Sequence, residues 1–210
     1  YQQRRGLLFL APENDPPRCF HQQPADVAVG HLGAIMRDVR PHAVFTWDPT
    51  GGYGHPDHIA AHVHTKAAFH ASGDPALYPE AGPAWSPSRL YWGAFTMKRF
   101  AGVFLEIERR GLLPEPLDPE RKARFEEALR QPDPPMTHII DVSGRVDSKR
   151  AAAGMHRSQF GESSIFARIP EEMRAAFYGE ERFFQAHPVA DTSAEPARGD
   201  VTGLLPQGIA

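Results

Sequence analysis

Hydrophobic positions along the chain fall into short apolar runs that alternate with longer stretches of helical spacing. Leu7-Leu8-Phe9-Leu10 is a compact run ending at Pro12 and reads as a buried strand. Ala25 to Arg40 places Leu32, Ile35, Met36 and Val39 at helical spacing. That helix stops at Pro41, because the residue before a proline is pushed out of the α region. Ala43 to Trp47 reads as a second buried strand, and Asp48-Pro49-Thr50-Gly51-Gly52 as a tight loop. A helix then opens near Pro56, a residue suited to the first helical position, carries Ile59, Val63, Ala67 and Phe69, and ends near Gly73. Further on, Arg89 to Phe95 predicts a strand, Met97 to Arg110 a helix, and Pro119 to Arg130 a charged, solvent-facing helix. His138 to Val142 is a strand, Lys149 to Gln159 a helix, and Phe177 to His187 a helix end followed by a strand. Val189 to Ala210 is small and polar with little periodicity, the pattern of a loosely held tail.

Strands alternating with helices in this order predict one α/β domain, Rossmann-like, with a mostly parallel sheet flanked by helices. The expected boundaries are 1–188 for the domain and 189–210 for the tail. In an open sheet of this kind ligands bind beyond the carboxyl ends of the strands. The Gly-rich loop between Trp47 and Pro56 is therefore where chemistry is expected.

Composition narrows the function classes. The length of 210 residues suits one domain with a full core, and the 21 prolines cluster in connecting segments that read as surface loops. A net charge of −3 without any Lys/Arg block gives nucleic acid and anionic membranes no electrostatic handle. No apolar run is long enough to span a bilayer. Cys19 is the only cysteine, so no intrachain disulfide forms, which suits a reducing cytoplasm. The expected partner is thus a small molecule; the oligomeric state is not written in the sequence.

His55-Pro56-Asp57-His58 carries the chemistry. Imidazole is the commonest side-chain ligand of zinc and also the natural proton carrier near neutral pH. Proline at the helix start pins the backbone, so His55 sits at the cap and His58 about one turn later on the same side. Asp57 is close enough to orient a histidine through its carboxylate, and Tyr53 offers a phenol to a developing oxyanion. A single histidine at a helix start is commonly just a cap or a surface residue. Two histidines flanking Pro-Asp after a glycine loop at a strand end bring a functional site level with that reading. His62 lies four residues after His58, a spacing that itself suits a metal, so a separate site of His55, His58 and His62 is an alternative. The preferred reading makes His62 a neighbour of the site.

Thr46-Trp47-Asp48-Pro49-Thr50-Gly51-Gly52-Tyr53-Gly54-His55-Pro56-Asp57-His58 closely resembles the second signature of the PIG-L/LmbE-like deacetylases, which include the zinc N-acetylglucosaminyl deacetylases of mycothiol and bacillithiol synthesis. Lys149-Arg150-Ala151-Ala152-Ala153-Gly154-Met155-His156-Arg157-Ser158-Gln159 resembles that family's Lys-x2-Ala-x3-His-x-Ser-Gln helix, in the family's order. The resemblance implies a metal-dependent amide hydrolase acting on an N-acetylated amino sugar or glycoconjugate, with Zn2+, or Fe2+ in its place, as the cofactor. It makes His58 a metal ligand and His55 the histidine that stabilises the tetrahedral intermediate and protonates the leaving amine. It makes Asp57 the residue that holds His55 and Tyr53 an aid at the oxyanion, with His156 and Gln159 supporting the architecture.

The family's first signature, Ala-His-Pro-Asp-Asp-Glu, has no match; Glu13-Asn14-Asp15 carries carboxylates without the pattern. Catalytic zinc normally takes three protein ligands and a water, and one is offered here. The expectation is therefore that an N-terminal strand and helix, with the other ligands, lie outside a sequence that begins at Tyr1, and that this piece alone is inactive. A related S-conjugate amidase and a carbohydrate-binding protein without activity are the competing readings.

Overall fold

The computed structural model describes residues 16–161 and 164–209. The expected strand Leu7 to Leu10 and the carboxylates of Glu13 and Asp15 lie outside these residues.

Helix α1 (Ala25–Val39) runs into strand β1 (Ala43–Thr46), and a tight Gly-rich turn (Gly51–Gly54) joins β1 to helix α2 (Pro56–Ala71). Strand β2 (Arg89–Gly93), α3 (Met97–Arg109), α4 (Pro119–Arg130), β3 (His138–Asp141) and α5 (Val146–Gly154) follow. Helix α6 (Glu171–Tyr178) then leads through Gly179 into β4 (Glu180–His187), and β5 is Ala197–Gly199. The strands form one sheet in the order β1-β2-β4-β3-β5.

The α/β layering is as expected, but the sheet is mixed where a mostly parallel one was expected. β1–β2 and β3–β5 are parallel, whereas β4 runs against both of its neighbours. The same alternation of side chains serves either direction, so the pattern of apolar residues does not encode it. Residues 189–210, expected as a loose tail, contribute the edge strand β5 and a short turn whose Leu204 packs buried against Tyr91 and Ile140.

Alternation along β2 sends Leu90 to one face of the sheet and Tyr91 to the other. On the Leu90 face, α1 and α2 bury Val29, Met36, Ala68 and Phe69. Of the apolar stripe foreseen on α1, Met36 is buried while Ile35 and Val39 are exposed. Arg37 takes an inward place instead. On the Tyr91 face lie Ile140, Leu204 and Phe183. A second, aromatic core of Phe100, Phe104, Phe125, Phe166 and Phe177 joins α3, α4 and α6.

Arg37 explains how the end of α2 is tied down. Its guanidinium donates to the carbonyls of Ser72, Tyr78, Gly82, Ala71, Asp74 and Leu77 at 2.6–3.3 Å. These are the orphan carbonyls of a helix C-terminus and of the loop after it, the place where a buried cation is best tolerated. That loop therefore sits at the C-terminal end of α2. The Gly-rich loop sits at its N-terminal end, sixteen residues and about 24 Å away.

Candidate active site

β1 ends at Thr46, and Trp47 to Gly54 form a turn knotted by one carboxylate. Asp48 Oδ1 accepts from the N–H of Thr50 (2.8 Å), the hydroxyl of Thr50 (2.6 Å) and the N–H of Gly52 (3.0 Å). The turn needs glycine: Gly51, Gly52 and Gly54 have φ of 66°, 73° and 94°. At Gly51 a Cβ would also lie 2.9 Å from both the His58 Cβ and the Ile59 backbone nitrogen. The turn thus brings the backbone directly against the start of α2.

His55 is the N-cap of α2, and its Nδ1 accepts from the N–H of Asp57 at 3.1 Å. An accepting Nδ1 places the proton of the neutral ring on Nε2. His58 Nδ1 lies 3.2 Å from the carbonyl of Gly51, which only accepts, so Nδ1 carries the proton and Nε2 presents a lone pair. The two imidazoles, 4.9 Å apart between centroids, thus hold opposite tautomers. One presents a proton and the other a lone pair.

Trp47 stacks on His58 at 4.0 Å with an interplanar angle of 7° and fixes its plane. Burial lowers the His58 pKa from its ordinary value; the nearby His55 charge adds to this, against the Gly51 bond and Asp57. Tyr53 turns its ring edge-on to both histidines, 5.1 Å from His58 and 6.2 Å from His55. Burial raises its phenol pKa, which keeps it a proton donor.

Asp57 behaves differently from expectation. Its carboxylate meets a histidine, but that histidine is His21, whose N–H and Nδ1 lie 3.0 and 2.7 Å from Oδ1. Burial pushes the Asp57 pKa up, yet the two His21 bonds and the charges of His21 and His55 outweigh it and leave the pKa lowered. His55 is held by the Asp57 backbone rather than by its carboxylate. Sequence reading offered no signal for His21, which stands 36 positions from Asp57. Asp48 could have been found from the Asp-Pro-Thr-Gly turn chemistry.

His62 is 6% exposed, donates from Nδ1 to the Trp47 carbonyl at 2.7 Å and lies edge-on to Trp92, which makes it a neighbour that braces the turn. Among the described residues no group of three or more His, Cys, Asp or Glu side chains is placed to hold a metal. A site of His55, His58 and His62 is thereby overturned. His58 is suited to donate to a metal, but the described residues do not complete a metal centre. The helix foreseen from Lys149 to Gln159 breaks after Gly154, and His156 is exposed at the break. Lys149 donates to the Tyr178 carbonyl (2.7 Å) and pairs with Glu181 (2.6 Å).

No protein-family profile matches the chain. Curated relatives do. A 1D-myo-inositol 2-acetamido-2-deoxy-alpha-D-glucopyranoside deacetylase of Rhodococcus erythropolis is 38% identical over 159 residues, covering 74% of this chain and 51% of that protein. The enzyme of the same name from Rhodococcus opacus is 41% identical over 68% of this chain and 47% of its own length. That of Thermobifida fusca is 33% identical over 93% of this chain and 64% of its own length. A conserved protein of Thermus thermophilus superposes with a TM-score of 0.48 at 23% identity, over 81% of this chain and 63% of its own. The chain spans about half the length of the curated relatives it matches. Over that span it belongs with them to the PIG-L/LmbE-like deacetylase family.

Proposed function

We propose that this chain carries the histidine half of an active site that hydrolyses the acetamide of an N-acetylated amino sugar or its glycoconjugate. The observation that supports it best is the pair of opposite tautomers at His55 and His58. Amide hydrolysis needs a donor for the oxyanion and the leaving amine, and a separate group that leaves a lone pair for an electrophile.

In this reading His55 Nε2–H, capped in place by the Asp57 N–H, donates to the oxygen on which charge develops and then to the departing nitrogen. The Tyr53 phenol, edge-on to both rings, supplies a second donor to the oxyanion. Asp57 and His21 together pin the first turn of α2, and Trp47 holds the His58 plane. His58 Nε2 is offered to a metal, proposed as Zn2+ with Fe2+ as the alternative, whose remaining ligands are not among the described residues. A bound metal would supply a Lewis acid and an acidified water. The substrate named for the Rhodococcus relatives, an acetamido sugar joined to inositol, is the first one to test. A cytoplasmic location belongs to the same proposal, on the single cysteine. No helix among the described residues is long and apolar enough to cross a membrane.

The test is acetate release and zinc content in the protein expressed from its whole reading frame. His58→Ala is expected to lose bound metal and activity together. His55→Ala is expected to keep the metal while kcat falls by roughly 10²–10³ and KM changes little, the loss typical of one oxyanion donor. Full activity in either variant would overturn the assignment. Sugar binding without any acetate release would favour a carbohydrate-binding protein instead.

A further inference from the structure

The short turn Phe20–Gln22, just before α1, docks on one face of α2 at two points. At the start of the helix the His21 ring meets Asp57, and two helical turns further on Phe20 stands edge-on to the His64 ring at 5.5 Å. The His21 side chain is only 12% exposed, so this contact is built into the packing.

Both bonds from His21 to Asp57, from the N–H at 3.0 Å and from Nδ1 at 2.7 Å, fall on the same oxygen, Oδ1. An ionised carboxylate only accepts, so Nδ1 of His21 carries a proton. The carboxylate is thereby held toward the segment before α1. The N–H of the same Asp57 points the other way in function, at His55 Nδ1, 3.1 Å away.

This division of labour decides where His55 keeps its proton. The tautomer of a neutral imidazole is set by the partner that one of its nitrogens finds. An N–H partner makes Nδ1 the acceptor and puts the proton on Nε2. A carboxylate partner requires the reverse, Nδ1–H with the lone pair on Nε2. Asp57 carries both kinds of group next to one nitrogen, an N–H in contact and a carboxylate on a one-carbon stem. Left unoccupied, the carboxylate is the stronger partner, since hydrogen bonds to an ionised group are roughly twice as strong as neutral ones.

We propose that His21 is a positioning residue: by occupying the Asp57 carboxylate it keeps His55 in the Nε2–H tautomer. Resting on the deacetylase reading, His21 thereby serves the hydrolysis through Asp57, without a part in the chemical step.

The experiment labels the histidine ring nitrogens with 15N in the protein expressed from its whole reading frame, at about pH 8.5, above the ordinary histidine range. The His55 signals are assigned by their loss in His55→Ala. In the parent protein the protonated nitrogen is expected to be Nε2. His21→Phe keeps a ring and removes the donor, and is expected to lower the ratio of Nε2–H to Nδ1–H about tenfold, the equivalent of ~1.4 kcal/mol. His21→Asn offers an amide N–H where Nδ1 stood and is expected to keep the parent tautomer. Adding Asp57→Ala to His21→Phe removes the competing carboxylate and is expected to return the proton to Nε2, which a mere loss of packing would not do. In His21→Phe, kcat for acetate release is expected to fall with the share of the Nε2–H tautomer while KM is unchanged. Should His21→Phe unfold, His21→Ala carries the same expectations. An unchanged His55 tautomer in a folded His21→Phe or His21→Ala protein overturns the proposal, as does failure of Asp57→Ala to reverse the change. Tautomer exchange in a protein that releases no acetate removes the deacetylase reading and leaves the control of His55 by His21 standing. Acetate release with an unmoved tautomer does the opposite.

Discussion

At the scale of single residues, the site depends on backbone that side chains cannot enter. Gly51 holds φ at +66°, and a methyl group there would meet the Ile59 nitrogen and the His58 Cβ at 2.9 Å. Neither neighbour is a flexible side-chain end. Gly51→Ala is therefore expected to cost about 1–3 kcal/mol, read from the urea midpoint. It is also expected to break the His58–Gly51 bond, so that the His58 Nδ1 proton signal disappears from low-temperature NMR spectra; an unchanged midpoint would refute the strain argument. The residues of this turn were legible in the sequence because glycine, proline and histidine each constrain the backbone or the chemistry locally. His21 was not legible. Its partnership with Asp57 exists only once the segment before α1 folds against the start of α2.

At the scale of elements, α2 is held at both ends by contacts that a periodicity argument assigns to solvent. Histidines 62 and 64 are buried on it, while the apolar Val63 is 52% exposed. Arg37, 3% exposed, anchors its far end through six carbonyls. An arginine next to Met36 reads as a boundary of the apolar stripe, so sequence pattern alone points it outward. Hydrogen bonds from a charged donor are worth about 1.5–3 kcal/mol each when their loss strands a buried partner. Arg37→Lys, with three donors on a narrower head, is expected to lower stability by about 2 kcal/mol. Arg37→Met is expected to lower it further, with faster hydrogen exchange in residues 72–82. Equal stability of all three proteins in urea would contradict the anchoring role.

At the scale of the whole molecule, histidine burial sets how the fold responds to acid. Burial first, then the positive charges of His187 and Lys66, lowers the pKa of His70, while burial and Arg89 lower that of His138. A depressed histidine binds fewer protons folded than unfolded. Stability is therefore fully present above the unfolded value near 6.5 and declines as pH falls below it. The melting temperature is expected to drop on acidification through that window, and His138→Phe to flatten the drop; a variant with the same pH slope as the parent would exclude His138. The layered α/β plan was readable from the order of strands and helices. Strand direction was not, because β4 reverses between two neighbours on which its side-chain pattern is indifferent.

The position of β1 has a consequence for the histidines. Among the described residues it is an outer strand of the sheet, as β5 is at the opposite edge, and its four residues Ala43–Thr46 include no charge or proline to discourage sliding. Four pairings with β2, from Ala43↔Arg89 to Thr46↔Trp92, fix its register. A slip of one residue would exchange the faces of Val44 and Phe45 and swing Trp47 off the His58 ring. The tautomer pair at the mouth of α2 is thus set, several residues upstream, by the alignment of β1 along β2.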